Sequence, residues 1–353
     1  MFLRDSSASD ARIERQSTGR SPSSALFEPL EGRQLLSTAV GLGTGNELIL
    51  FDTSKPTVIM DRERISGLQY NEKIVGIDYR PANGRLYAVG KTGTTGRIYR
   101  VDPSNGRSEF VAKINHPLNG TEFGVDFNPV VDRLRVVSDY DQNLRIHPDT
   151  GVLQDGNANV AGVQPDGNLN YAAADRNAGK NPNVVGSAYS NSDNNTATGT
   201  TLYGIDSALD ILVTQNPPNA GTLNTVGSLQ FNTSQLVGFD IETKSGVNTA
   251  YASLNYSGSS SSKLFKIDLA TGKATLIGNV GGDDNSRYYS YSGSDSRSQM
   301  LLRDVAIAPA GTTYNGGYTG YNGGYGGYDD DSYGSGGSSW SYYESSGTTD
   351  STR

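Results

Sequence analysis

A short apolar segment that ends at a polar residue or proline recurs five times along this chain. The copies occupy residues 74–81, 123–129, 184–191, 236–243 and 303–309. Four of them are followed by a second apolar run and then a third, with Asp, Asn and Gly at the turns, a pattern typical of antiparallel hairpins. The spacing of about 45–60 residues is close to that of four-stranded propeller blades. The repeats therefore predict an all-β fold, a β-propeller of five four-stranded blades.

The two ends of the repeat array indicate how the ring closes. Residues 38–43, 47–52 and 57–61 supply a second, a third and a fourth strand without a first, and residues 301–309 supply a first strand alone. A blade built from both ends leaves no exposed inner strand edge. We therefore predict that pairing of the N- and C-terminal strands closes the ring. A β-sandwich is the alternative, because the fourth repeat is irregular.

The predicted propeller domain, residues 38–310, lies between two segments that are predicted to be disordered. Residues 1–37 begin with a stretch rich in Ser, Arg and Asp, and residues 311–353 repeat Gly, Tyr and Ser without hydrophobic periodicity. Neither composition can form a packed core. Because spaced tyrosines allow weak multivalent contacts, self-association of the tail is a hypothesis.

Charge and composition exclude several classes of function. The net charge is −8 and the chain contains no cysteine, so disulfides and thiolate metal sites are excluded. Without clusters of Lys and Arg, we expect no nucleic-acid partner. No apolar run approaches the roughly 18 residues of a membrane span. The N-terminal region also lacks the apolar core of a classical signal peptide.

Two resemblances bear on family and location. In residues 26–37, the runs Glu28-Pro29-Leu30-Glu31 and Arg33-Gln34-Leu35-Leu36 resemble the Leu-Glu-Pro-Arg-x-Leu-Leu sorting motif of secreted proteins in one group of budding bacteria. A short amphipathic helix or a linker is the alternative. Residues 128–151 and 171–192 resemble signature stretches of domain-of-unknown-function family 4394, a bacterial propeller-like domain.

That family resemblance covers about residues 38–310. It implies a propeller-like fold and an exported protein, and it implies no activity. We therefore expect a protein that is secreted or on the cell surface without a classical signal peptide.

Three aspartates form the candidate metal site. Asp78, Asp126 and Asp240 occupy the same place in three inner strands, where Ala188 and Ala306 stand in the other two. Inner strands line the channel of a propeller, so these carboxylates could converge on Ca²⁺, the candidate cofactor. The alternative is structural, because a buried carboxylate must accept hydrogen bonds and could tie its blade to the next.

A long connection at residues 164–183 is the candidate ligand-binding loop, because long loops on rigid scaffolds often carry binding residues. Its candidate residues are Asp166, Asn168, Tyr171, Asp175 and Arg176. Arg135 and Arg145 are further candidates, for an anion-binding surface. Cross-strand ion pairs are the alternative for these two.

No residue is predicted to be catalytic. His116 and His147 are the only histidines, and the chain has no G-x-S-x-G, P-loop or H-E-x-x-H motif. We predict an exported, non-enzymatic binding or surface-structure module, whose partner is a cell-surface or extracellular protein or a carbohydrate. The alternative is a Ca²⁺-dependent propeller hydrolase or lactonase that uses the channel aspartates.

Overall fold

The computed structural model describes residues 37–193, 195–281 and 300–312. The described residues form 20 strands in five separate sheets, the blades of a five-bladed β-propeller. The predicted sorting motif and the predicted tail lie outside the described residues, apart from Ser37 and residues 311–312. Within the described ranges, no helix is long and apolar enough to span a membrane.

Blade one combines both ends of the described chain. Its strands, from the channel outward, are β20 (Leu302–Ile307), β1 (Thr38–Gly43), β2 (Glu47–Asp52) and β3 (Ile59–Arg64). Strand β20 runs antiparallel to β1, with Ala39 opposite Ile307. The predicted closure by N- and C-terminal strands is therefore confirmed.

The other blades follow one another along the chain. Blade two contains β4 (Lys73–Arg80), β5 (Arg85–Thr92), β6 (Thr95–Val101) and β7 (Ser108–Lys113). Blade three contains β8 (Phe123–Asn128), β9 (Arg133–Ser138) and β10 (Asn143–Ile146). Blade four contains β12 (Val184–Tyr189), β13 (Leu202–Asp206), β14 (Ile211–Gln215), β15 (Thr222–Ser228) and the short β11 (Asn170–Tyr171). Blade five contains β16 (Gly238–Lys244), β17 (Val247–Leu254), β18 (Lys263–Ile267) and β19 (Ala274–Asn279).

The prediction of four strands in every blade is wrong for blades three and four. Blade three has three strands and blade four has five. After β10 the chain leaves its own blade, and β11 joins the outer edge of blade four, parallel to β15. The segment before β11 is rich in Gly, Asn, Asp and Pro, which have low strand propensity, so it forms a loop where a fourth strand was expected.

The inner strands pack around the channel in the order β4, β8, β12, β16 and β20. All six residues of β12 and of β20 are buried, as expected for strands covered on both faces. Glycine permits this close approach. A Cβ added to Gly76 would lie 2.3 Å from Val125 Cγ2, and one added to Gly238 would lie 2.4 Å from Val305 N.

The antiparallel registers define two faces of the ring. The first residue of an inner strand pairs with the end of the second strand of its blade, as Phe123 does with Ser138 and Lys73 with Lys91. The inner strands therefore begin at the same face as the turns between second and third strands. We call this the upper face. The turns between first and second strands lie on the opposite, lower face.

Candidate functional site

The three predicted channel aspartates come together at the centre of the ring. Asp78, Asp126 and Asp240 each offer a carboxylate oxygen within 4.8 Å of the others, and all three side chains are buried. A fourth buried carboxylate, Asp304 of β20, accompanies them. The alignment of the repeats did not predict it, because Asp304 stands two residues before Ala306, at a position that is glycine in the other inner strands.

These carboxylates join neighbouring blades. Each accepts a hydrogen bond from the backbone of the next inner strand, and Asp126 accepts its own from Tyr189 of β12. The other three bonds are Phe127 N to Asp78 Oδ2 at 2.8 Å, Ile307 N to Asp240 Oδ2 at 2.5 Å, and Ile77 N to Asp304 Oδ2 at 2.9 Å. At the remaining junction, between β12 and β16, Ser192 Oγ donates to Ile241 O at 3.0 Å.

Burial raises the pKa of all four carboxyl groups, because it disfavours the charged form. The pKa of Asp240 rises to about 6. Burial raises the pKa of Asp78 and Asp126 well above the usual range, with a further contribution from neighbouring carboxylates. Burial likewise raises the pKa of Asp304. The cluster can therefore hold protons at mildly acidic pH, or a cation in their place.

Three of the predicted ligand-binding residues are bound to one another. Asp166 is 3 % exposed and accepts from Arg135 Nη1 at 2.6 Å and from Arg145 Nε at 2.7 Å. Arg135 is 1 % exposed and also donates to Asn143 Oδ1 at 2.6 Å. The cluster anchors the long loop to blade three, and its charges are paired within the protein.

The remaining predicted residues of this loop divide into anchors and exposed side chains. Asp175 accepts from Thr225 N at 2.6 Å, and the Tyr171 hydroxyl donates to Asp206 Oδ2. Arg176 and Asn168 are exposed. Of the seven predicted ligand-binding residues, Asn168 is the one that lines a cleft between blades two and three.

A cleft of about 490 Å³ opens on the upper face between blades two and three. The turn between β5 and β6, residues 116–121, residues 140–143 and the start of the long loop form its walls. Gln142 holds two of these walls together, because its Oε1 accepts from Asn119 N and its Nε2 donates to Pro117 O, both at 2.9 Å. Asn143 Nδ2 similarly donates to Gly167 O at 3.0 Å.

Several cleft side chains have no hydrogen-bond partner among the described residues. They include His116, Asn119, Tyr140 and Asn168. Tyr140 is 66 % exposed, and burial lowers the pKa of His116, which favours its neutral form at neutral pH. Sequence reasoning missed the cleft because four separate segments form it. The one local signal was Tyr140, which stands between two aspartates in a tight turn. A tyrosine in such a turn is expected to be exposed and therefore available to a ligand.

The model of a family described as "Domain of unknown function (DUF4394)" matches residues 47–288. No curated protein matches the chain. Several solved structures are similar to it at low sequence identity. The alignment with a chain of a nidogen/laminin complex has 12 % identity and a TM-score of 0.41, and covers 78 % of this chain and 99 % of that chain.

Two further solved structures show the range of these similarities. A WD40 domain of Toxoplasma gondii coronin aligns at 11 % identity with a TM-score of 0.36, over 70 % of this chain and 58 % of that chain. A putative 6-phosphogluconolactonase from Bacteroides uniformis aligns at 12 % identity with a TM-score of 0.34, over 69 % and 82 %. At these identities the similarities say nothing about activity.

Proposed function

The chain belongs to the family described as a domain of unknown function (DUF4394), and we propose that this member is a non-enzymatic binding module. Its ligand site is the upper-face cleft between blades two and three. The observation that carries the proposal is the lining of this cleft, where polar side chains without internal partners stand on walls fixed by Gln142 and Asn143. Pre-formed concave sites with a few convergent polar groups are typical of ligand binding.

The chemistry of the cleft suits a hydroxyl-rich ligand, such as a carbohydrate. The amides of Asn119 and Asn168 each offer donors and acceptors together, which matches hydroxyl groups that also do both. Tyr140 offers an exposed ring face with a hydroxyl at its tip. The lining residues that the structure describes include no carboxylate, so the cleft provides binding groups without an acid–base pair.

Binding to a panel of defined oligosaccharides, measured by calorimetry on the full chain, tests this proposal. Tyr140→Ala should weaken binding by about fivefold or more, since a stacked aromatic contributes about 1 kcal/mol or more. The melting temperature should not change, because the ring is exposed. Tyr70→Ala is the matched control, because Tyr70 is 88 % exposed and lies outside the cleft.

An equal effect of the two tyrosine substitutions would contradict the assignment of the cleft. So would a chain that binds no member of the panel.

A second candidate function is a Ca²⁺-dependent hydrolase or lactonase that uses the channel aspartates. The observation in its favour is that oxygens of Asp78, Asp126 and Asp240 lie within 4.8 Å of one another. Against it, Asp78 and Asp240 spend both carboxylate oxygens on backbone N–H groups, and all three side chains are buried.

Calcium titration separates the two functions. A channel site would stabilise the fold by about 2.7 kcal/mol when Ca²⁺ is at a hundred times its dissociation constant. We expect no shift of the melting temperature with Ca²⁺ or with a chelator. A saturable upward shift that Asp126→Asn removes would favour the metal site, and lactone hydrolysis should then be assayed.

We also propose that the protein is exported or displayed at the cell surface. The support is the sorting-motif resemblance at residues 26–37 and the family resemblance of the propeller. Fractionation of cells that express the full chain, with protease treatment of intact cells, provides the test. Protein found only inside the cells and protected from protease would contradict the proposal.

A further inference from the structure

A group of three cationic side chains lies at the upper ends of β4, β5 and β20, and one of them, Lys91, lines the cleft. Lys73 and Lys91 stand directly opposite each other on the paired strands β4 and β5. Like charges in directly opposed positions of a sheet are destabilising. A third cation, Arg303, lies near Lys73. Burial is the largest cause that lowers the pKa of Lys73, and the charge of Arg303 is the second. We call Lys73, Lys91 and Arg303 the cationic rim.

Arg303 is buried and incompletely paired. Its side chain is 6 % exposed, and neither its Nε nor its Nη1 makes a hydrogen bond with any described residue. It forms an ion pair with Glu122, whose Oε2 lies 3.5 Å from Nε, and the neighbouring Asp304 also acts on its charge. Lys73 Nζ shares the Glu122 carboxylate at 3.4 Å from Oε1. Buried donors without acceptors are unfavourable. Glu122 pairs with two of the three cations, and Lys91 has no ion pair among the described residues, so the rim has an excess of positive charge.

The rim meets the cleft at Lys91. Lys91 itself lines the cleft, and Thr121, also a lining residue, directly precedes Glu122. The neighbouring acidic group is already engaged, because Asp139 accepts from the backbone and the hydroxyl of Thr121. The cleft is thus cationic at its channel side and amide-rich where Asn168 stands. A ligand that spans it would meet positive charge with one end and neutral polar groups with the other.

We propose that the ligand of the cleft is an acidic saccharide whose carboxylate binds at the cationic rim. The inference rests on the proposed function and adds a ligand class to it. Hydrogen bonds between ionised partners are roughly twice as strong as neutral ones, so the rim supplies much of the selectivity. Glu122 already pairs with Lys73 and Arg303 and so neutralises part of the charge of the rim, which suits a ligand with one small anionic group there. The net charge of the whole chain, −8, repels long polyanions such as nucleic acid.

The test compares trigalacturonate with its methyl ester, in which a methyl group removes the charge of each carboxylate, by calorimetry on the full chain. We expect the free acid to bind about tenfold more tightly than the ester. The difference should shrink as salt is raised, because partly exposed charges are screened. A sulfated trisaccharide forms the third arm and should bind more weakly than the free acid.

Variants assign the effect to the rim. Lys91→Ala should abolish the preference for acid over ester, and Lys73→Ala should reduce it. Lys266→Ala is the matched control, because Lys266 is an exposed lysine on β18 of another blade. Melting temperatures identify any variant that fails to fold, and Lys73→Ala then carries the comparison.

The outcomes separate this inference from the proposed function. Equal binding of acid and ester, with binding still weakened in Tyr140→Ala, would overturn the acidic class and leave the binding module in place. A preference that Lys91→Ala and Lys73→Ala leave unchanged would also overturn it. Tighter binding of the sulfated probe would overturn the carboxylate as the bound group and point to a sulfate ester instead. Failure of both probes to bind would contradict the inference, whereas the oligosaccharide panel with Tyr140→Ala decides the function.

Discussion

Each channel aspartate is subject to two opposing effects. Its hydrogen bonds from backbone N–H groups favour the ionised form, whereas burial among other carboxylates favours the protonated form. Burial prevails, as the raised pKa values of Asp78, Asp126, Asp240 and Asp304 indicate. The native ring therefore binds more protons than the unfolded chain at mildly acidic pH.

This excess of bound protons predicts a pH dependence of stability. Because the folded pKa of Asp240 is about 6 and its usual value is 3.8, its favourable contribution is complete below about pH 4 and lost as pH rises through about 6. The shift corresponds to about 3 kcal/mol. Asp240→Asn should flatten the slope of unfolding free energy between about pH 4 and about pH 7, measured by urea denaturation.

The variant also leaves one backbone N–H unpaired, which should cost about 1–3 kcal/mol at every pH. Comparison of slopes separates this constant loss from the titration. An unchanged slope would mean that Asp240 is ionised throughout, as a bound cation would require.

At the scale of elements, the long loop after β10 owes its position to tertiary contacts. Asp166 fixes its start between Arg135 and Arg145, and Asp175 fixes its middle to Thr225 of β15. Asn168 lies between these anchors, so the wall of the cleft depends on them. Buried ion pairs of this kind are strongly destabilising when one partner is removed.

We therefore expect Arg135→Met to lower the free energy of unfolding by about 3–5 kcal/mol, because it leaves part of the charge of Asp166 unpaired. Arg133→Met is the control, because among the described residues the Arg133 side chain donates only to the carbonyls of Val131 and Asp132. It should change stability by less than about 0.5 kcal/mol. Denaturant unfolding provides the measurement. Similar losses in both variants would show that the buried pair does not stabilise the loop.

The elements also show which parts of the fold the sequence could predict. The inner strands, including the closing strand β20, could be predicted from local apolar runs and turn residues, because these patterns reflect the intrinsic strand and turn propensities of the residues. Strand β11 is only Asn170–Tyr171, and pairing with β15 alone makes it a strand. Asp304 was not predicted, because it takes a position where the other inner strands have glycine, such as Gly76. Its Oδ2 lies 3.1 Å from the position that a Cβ of Gly76 would occupy.

The candidate site shows the same limit. The convergence of Asp78, Asp126 and Asp240 follows from their repeated place in the inner strands. The cleft does not, because His116, Tyr140 and Asn168 lie in separate connections that become neighbours only when blades two and three pack together.

At the scale of the whole molecule, the ring combines separate sheets with a pre-formed upper face. The blades are not joined by a continuous ladder. Channel carboxylates bridge four junctions, and β20 completes blade one. Connections between blades therefore sit on a rigid frame, which is why a cleft made of loops can be selective. The central claim is that ligand binding takes place in this cleft.

Hydrogen–deuterium exchange of the full chain, with and without the tightest-binding oligosaccharide of the panel, tests that claim most directly. The ligand should slow exchange in residues 116–121, 140–143 and 165–168, which form the cleft walls. Turns on the lower face, at residues 81–84 and 129–132, should not change. Protection at the lower face, or binding without protection of the cleft walls, would contradict the account.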